Sequence, residues 1–402
     1  MKKWSIVLVL VFVVGLLSTQ VMAEEKKPVK LLGQSILSGR IGSIPESGWG
    51  YVDGVEYVND QGGINGRKFE VILEDFQYDQ ALCLSIYNRV VNAEPKDELL
   101  FASGYHTGCL LSSAEKVRED GIPWVDGSMS TQIFDENIQK TYPYYFSVGV
   151  PYGYQIGFIF KYIKEKMHKG EGRPKVAFLY LDAAAGKDPL KKMRMYADEF
   201  GIDLILEEPI SFTATDYTPT MMKIRSKKAD YVVFWCWSVT AGTRFLKSAH
   251  EYLPKTKIFG LSYFAWEIFF ATTGKAFDGV YAVSPYPRPN EMDNPLVKTI
   301  QGVVQKKERK IKIWDVYLQS WLMSLICAEG GKRAAEAGNL TREGVRDALE
   351  QMTDWDACGL YGGRPLNYSM HRLSEARMLK ADFKTKSLEP VTEWLTLSEY
   401  LK

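Results

Sequence analysis

The chain has 402 residues, 50 basic and 49 acidic side chains, and a formal net charge of +1. That length is too great for one ordinary core and suits two lobes. The balanced charge, with no clustered basic face, excludes nucleic acid as a partner.

The first 23 residues read as a secretory signal peptide. Lys2 and Lys3 precede an apolar run from Ile6 to Leu17, and Ala23 is followed by Glu24-Glu25. The run is shorter than the roughly 20 residues needed to span a bilayer. No second apolar run reaches that length, so the protein is expected to be exported, cleaved after Ala23 and not membrane-embedded. Cleavage takes 23 from 402 residues and leaves 379. The five cysteines are an odd count and form no C-x-x-C pair, so at least one thiol stays unpaired. His106, His168, His250 and His371 are scattered, without metal-ligand spacing. Neither a metal nor a cofactor is expected.

Taken in chain order, residues 29–35 read as a buried strand and 49–59 as a helix stopped by Gly62-Gly63. Strand 68–74, helix 80–92, strand 99–103, helix 110–119 and strand 123–125 follow. After Pro151 the alternation resumes with helix 155–166, strand 175–180, helix 187–200 and strand 202–207. Helix 218–226, strand 231–235, helix 241–251 and strand 257–260 complete it. Continuous apolar strands separated by helices imply parallel sheets covered on both faces. The fold class is therefore α/β, with two doubly wound lobes. Ligands bind such sheets beyond the carboxyl ends of the strands, where helix N-termini favour anions.

The segments Leu37-Ser38-Gly39 and Asn59-Asp60-Gln61-Gly62-Gly63-Ile64-Asn65-Gly66-Arg67 resemble the N-terminal signature of type I periplasmic binding proteins. These are the leucine/isoleucine/valine-type solute receptors of ATP-driven (ABC) importers. The resemblance continues through Glu74-Asp75, Gly121-Ile122-Pro123, Thr215-Asp216-Tyr217 and Asp230-Tyr231-Val232-Val233. It implies two lobes joined by three crossovers, here near residues 147, 285 and 380. Residues 28–147 with 286–380 form the first lobe, and 148–285 with 381–402 the second. It also implies a monomeric periplasmic receptor, no catalysis, and an inner-membrane ABC permease as partner.

In amino-acid-binding members the ligand carboxylate is held by hydroxyls and backbone N–H groups from two first-lobe loops. The matching loops are Tyr105-His106-Thr107-Gly108, with Thr107 at the hydroxyl position, and Asp126-Gly127-Ser128-Met129-Ser130, with Ser128 and Ser130 at the contacts. Helix capping and turn chemistry explain any one of these residues equally well; their combination favours an oxyanion site. The second lobe departs from the pattern. The acid that holds a ligand ammonium is matched by Ser262, beside Tyr263, and two family tyrosines are matched by Trp237 and Ala185. An unpaired buried ammonium is costly. The expected ligand is therefore a small carboxylate with an apolar or aromatic body, and Asp182 is the candidate for a displaced acid. An amino-acid receptor and an extracytoplasmic sensor of the same fold are the alternatives. The family's common disulfide positions match Tyr78 and His106, so a pairing of the nearby Cys83 and Cys109 stays open.

Overall fold

A computed structural model describes residues 26–39, 41–135 and 138–402. The expected signal peptide and its cleavage site lie outside the described residues.

The first sheet is built from β1 (Val29–Ser35), β2 (Phe69–Asp75), β3 (Leu99–Gly104), β4 (Trp124–Asp126) and β5 (Tyr145–Ser147). All pairings are parallel, in the order β2-β1-β3-β4-β5. Central β3 is buried along its whole length, whereas edge strand β2 is mostly half-buried. That is the pattern of a sheet covered by helices on both faces.

The second sheet contains β6 (Lys175–Leu181), β7 (Asp203–Ile210), β8 (Tyr231–Trp235), β9 (Lys257–Gly260) and β10 (Tyr281–Ser284). These strands are parallel. The sheet is extended by antiparallel β11 (Glu375–Asp382) and β12 (Ser387–Pro390), in the order β12-β11-β10-β9-β8-β6-β7. A short β13 (Leu395–Thr396) also pairs with β11. Two lobes joined by three crossovers result, as the resemblance implies. One boundary moves. Residues 375–380, assigned above to the first lobe, sit on the second sheet, because Arg377 to Lys380 pair with Ser284 to Tyr281.

The crossing segments lie side by side. Ser147 N donates to His371 O at 2.7 Å, and the Tyr286 hydroxyl donates to Val148 O at 2.6 Å. The third crossing therefore lies near His371, upstream of the expected position.

The helix Trp314–Glu336 was not assigned from periodicity. It is buried continuously from Trp314 through Ala328, so it has no polar face to set a 3.6-residue rhythm. It packs against the helix Glu46–Asp60 at very close range. A Cβ on Gly50 would lie 2.2 Å from Tyr317 O, so only glycine fits there. Beside that contact, the buried Asp53 carboxylate accepts from Tyr317 at 2.7 Å and from Arg309 and Lys307.

Cys83 and Cys109 form a disulfide with Cα atoms 6.3 Å apart. It joins the starts of the helices Gln80–Ala93 and Thr107–Asp120, both at the carboxyl end of the first sheet. Cys236, Cys327 and Cys358 are free.

Candidate ligand-binding cleft

On the first lobe the cleft begins where β3 ends at Gly104. The next helix starts at Thr107, and its cap is His106: the extended His106 accepts from Cys109 N through Nδ1 at 3.0 Å. With capping done by its neighbour, the Thr107 hydroxyl is free to meet Ser128, Oγ1 to Oγ at 2.6 Å. The Tyr152 hydroxyl interacts with the same two hydroxyls. Thr107, Ser128 and Tyr152 thus form a buried cluster at the start of a 14-residue helix, whose N-terminus favours an anion.

The loop carrying Ser128 is fixed from beneath by Asp126. Its carboxyl accepts from Ser128 N at 2.6 Å and from Trp124 Nε1 at 2.7 Å. Burial pushes Asp126 up to about 7, against the pull of these two hydrogen bonds. Gly127 lets the loop lie under the Tyr105 ring, since a Cβ there would fall 2.5 Å from that ring. The Tyr105 hydroxyl is held in turn by Ser320 and by Val316 O.

The second-lobe wall is aromatic. Trp235, at the end of β8, donates through Nε1 to Ala185 O at 2.7 Å. Its ring packs on Trp237 at 4.8 Å and on Tyr152 at 4.5 Å between centroids. Tyr263, on the turn after β9, crosses the cleft: its hydroxyl donates to Gly127 O at 2.7 Å and meets Gln319 at 3.2 Å. Trp266 lies on the same loop, edge-on to Tyr263. The wholly buried Arg288 anchors that loop, donating to Ala265 O at 2.9 Å and to Asp315 at 2.6 Å. Asp315 neighbours Val316, another wall residue, so the guanidinium links both sides of the cleft.

These walls face one another across a narrow chamber that opens to solvent. Tyr105, Thr107, Ala185, Trp237 and Tyr263, all expected from the sequence, line it together. Tyr152, Trp235, Trp266, Ile36, Ile44 and Val316 line it too. Among the described residues no charged side chain does. His106 lies in the adjoining mouth with Asp182, whose carboxylate pairs with Lys187 at 2.7 Å.

Three further expected residues, Ser128, Ser130 and Ser262, are not on that wall; the Ser128 hydroxyl meets that of Thr107. Ser130 caps the helix Thr131–Phe134 and donates its proton to Asp188 at 2.5 Å. Asp188 also accepts from Thr131 N and Gln132 N, so that hydroxyl is occupied by a cross-lobe contact. Ser262 turns its hydroxyl to the Met129 sulfur at 3.6 Å and its N–H to Gln155, away from the chamber wall. Tyr152 was missed. Its signal is positional, since it opens the first helix after the crossing, directly following Pro151.

Comparison with known proteins agrees with this architecture. A branched-chain amino acid ABC transporter protein from Thermus thermophilus with bound valine superposes with a TM-score of 0.82 at 22% identity, over 93% of this chain and 97% of that one. A fatty acid ABC transporter substrate-binding protein from Thermomonospora curvata gives 0.79 at 19% identity, over 93% and 94%. In sequence, Leu/Ile/Val-binding protein homolog 7 from Brucella suis is 22% identical over 210 residues, 51% of each chain, so the match spans about half the length of that relative. The periplasmic binding protein family model matches residues 31–375. With the two-lobed fold and central cleft, that match establishes that the chain belongs to the periplasmic binding protein family, whose members are extracytoplasmic solute-binding proteins and not enzymes.

Proposed function

We propose that the protein is the solute receptor of an ABC importer and traps a small carboxylate with an apolar, preferably aromatic, body between its lobes. One observation carries the reading: Thr107, whose hydroxyl meets that of Ser128, stands at a helix start and lines a chamber of rings with no charged side chain. Neutral hydroxyls and a helix N-terminus suit an anion that must also be released. Rings suit an apolar body. An ammonium would find no acid on the chamber wall, and the nearby Asp188 is already saturated by Ser130 and two backbone N–H groups.

The lobes move as rigid bodies about the crossings near residues 147, 285 and 371, with residues 375–402 travelling with the second lobe. The receptor works as a monomer in the periplasm and delivers its ligand to an inner-membrane permease. A thermal-shift panel of benzoate, phenylacetate, branched 2-oxo acids and the standard amino acids tests the ligand class. Stabilisation by the acids supports the reading. Stabilisation by amino acids alone overturns it and makes Asp182, at the mouth beside Ala185, the first candidate partner for an ammonium. That second reading draws on the Thermus thermophilus neighbour, described with bound valine.

A further inference from the structure

The chamber contains three tryptophans, and their indole N–H groups are treated differently. Trp235 Nε1 has an acceptor, Ala185 O. Trp237 and Trp266 are 6% and 1% exposed, and neither Nε1 meets an acceptor among the described residues. Several other buried polar groups are unpaired, including those of Gln34 and Trp321, but they lie off the chamber wall. Among the described residues, Trp237 and Trp266 are the two chamber-lining residues that carry an unpaired buried polar group. A buried donor without a partner is costly, and such groups ordinarily find one. Both lie on the second lobe, whereas Thr107 lies on the first. Their rings are held by neighbours, Trp237 by Trp235 and Phe212, and Trp266 by Tyr263 and Phe269.

We infer that the ligand carries a second oxygen acceptor at the end remote from its carboxylate, and that Trp237 and Trp266 recognise it through their indole N–H groups. The ligand class narrows to acids whose apolar body ends in a hydroxyl, ether, carbonyl or second carboxylate. This rests on the carboxylate reading above. A site that donates to a ligand oxygen discriminates sharply against an analogue lacking it, because the donor is then left buried and unpaired. Two tryptophans serve this better than two phenylalanines of similar ring area, which explains rings that each carry one polar atom on an otherwise apolar wall.

The test is calorimetric titration of the mature protein with benzoates and cinnamates bearing methyl, methoxy or hydroxy groups at the 3- or 4-position. Methyl and methoxy compounds share the carboxylate and the ring, and only the latter accept a hydrogen bond. At least one oxygen-bearing compound should bind about tenfold tighter than its methyl counterpart. Trp237→Phe or Trp266→Phe, which keep a ring and remove the donor, should lower that ratio toward one. Methyl compounds that bind as tightly as every oxygen counterpart overturn the inference and leave the aromatic-acid reading standing. A ratio that neither substitution changes overturns it as well. Failure of every compound to bind overturns both readings, and because the ligand series needs only the unsubstituted protein, a variant that misfolds leaves the decision intact.

Discussion

The two walls of the cleft differ in chemistry and in what holds them. The first-lobe wall combines apolar residues such as Ile36, Ile44 and Val316 with a hydroxyl at a strand end, fixed by local hydrogen bonds: His106 caps the helix, Asp126 anchors the loop, and Thr107 meets Ser128. The second-lobe wall is made of large rings that fix one another, with Trp235 packed on both Trp237 and Tyr152. The difference separates two tasks. Under the proposed reading, short hydroxyls on rigid strand ends recognise charge, where tenths of an ångström matter. Rings recognise shape, where contact area matters. Tyr263 joins the walls by donating to Gly127 O.

Removing the hydroxyls should separate the walls most strongly. The double variant Thr107→Val, Ser128→Ala should lose at least about 100-fold in affinity for 3-phenylpropionate by calorimetry, since each hydrogen bond to a charged group contributes about 1.5–3 kcal/mol. Trp237→Ala should cost about tenfold for ring-bearing acids and much less for small aliphatic ones. Equal losses for both would assign Trp237 to the core and not to recognition. Tyr263→Phe removes one neutral cross-cleft hydrogen bond of about 1 kcal/mol. Affinity should fall about fivefold, and small-angle scattering should show a larger unliganded radius of gyration.

The smallest effect is that of pH. Asp126 titrates at about 7, and its proton leaves as pH rises through that value. The resulting carboxylate sits directly behind Ser128 and repels a ligand carboxylate. Affinity should fall about threefold between pH 6 and 8, and Asp126→Asn should flatten the profile. Stability shifts in the same direction. The folded pKa lies above the unfolded value of about 3.9, so this contribution is complete below about pH 4 and is lost as pH rises through 7.

Much of this molecule is legible in its sequence. The central strands are mostly apolar because both sheet faces are covered, and the bounds read for residues 29–35, 231–235 and 257–260 coincide with those of the strands. Thr107 and Ser128 come from the resemblance to the family's two carboxylate-binding loops, and their hydroxyls meet at 2.6 Å. Ser130 sits in an equivalent place, but its hydroxyl is taken by Asp188, 58 residues away, and no local pattern records that contact. Ser262 was selected by alignment to a family acid, yet the turn carrying it points Tyr263 across the cleft instead. The helix Trp314–Glu336 and strand Glu375–Asp382 escaped assignment for opposite reasons. The helix is buried too completely to alternate, and the strand is an antiparallel addition outside the repeating strand-helix units.

The central claim is that the cleft takes a carboxylate without an ammonium, and one matched pair addresses it directly. Phenylalanine and 3-phenylpropionate share a ring, a chain and a carboxylate, and differ by the amino group. Titrated calorimetrically into the mature protein, 3-phenylpropionate should bind and phenylalanine should bind at least tenfold more weakly, because a buried ammonium has no acid on the chamber wall to pair with. Tighter binding of phenylalanine would contradict the account.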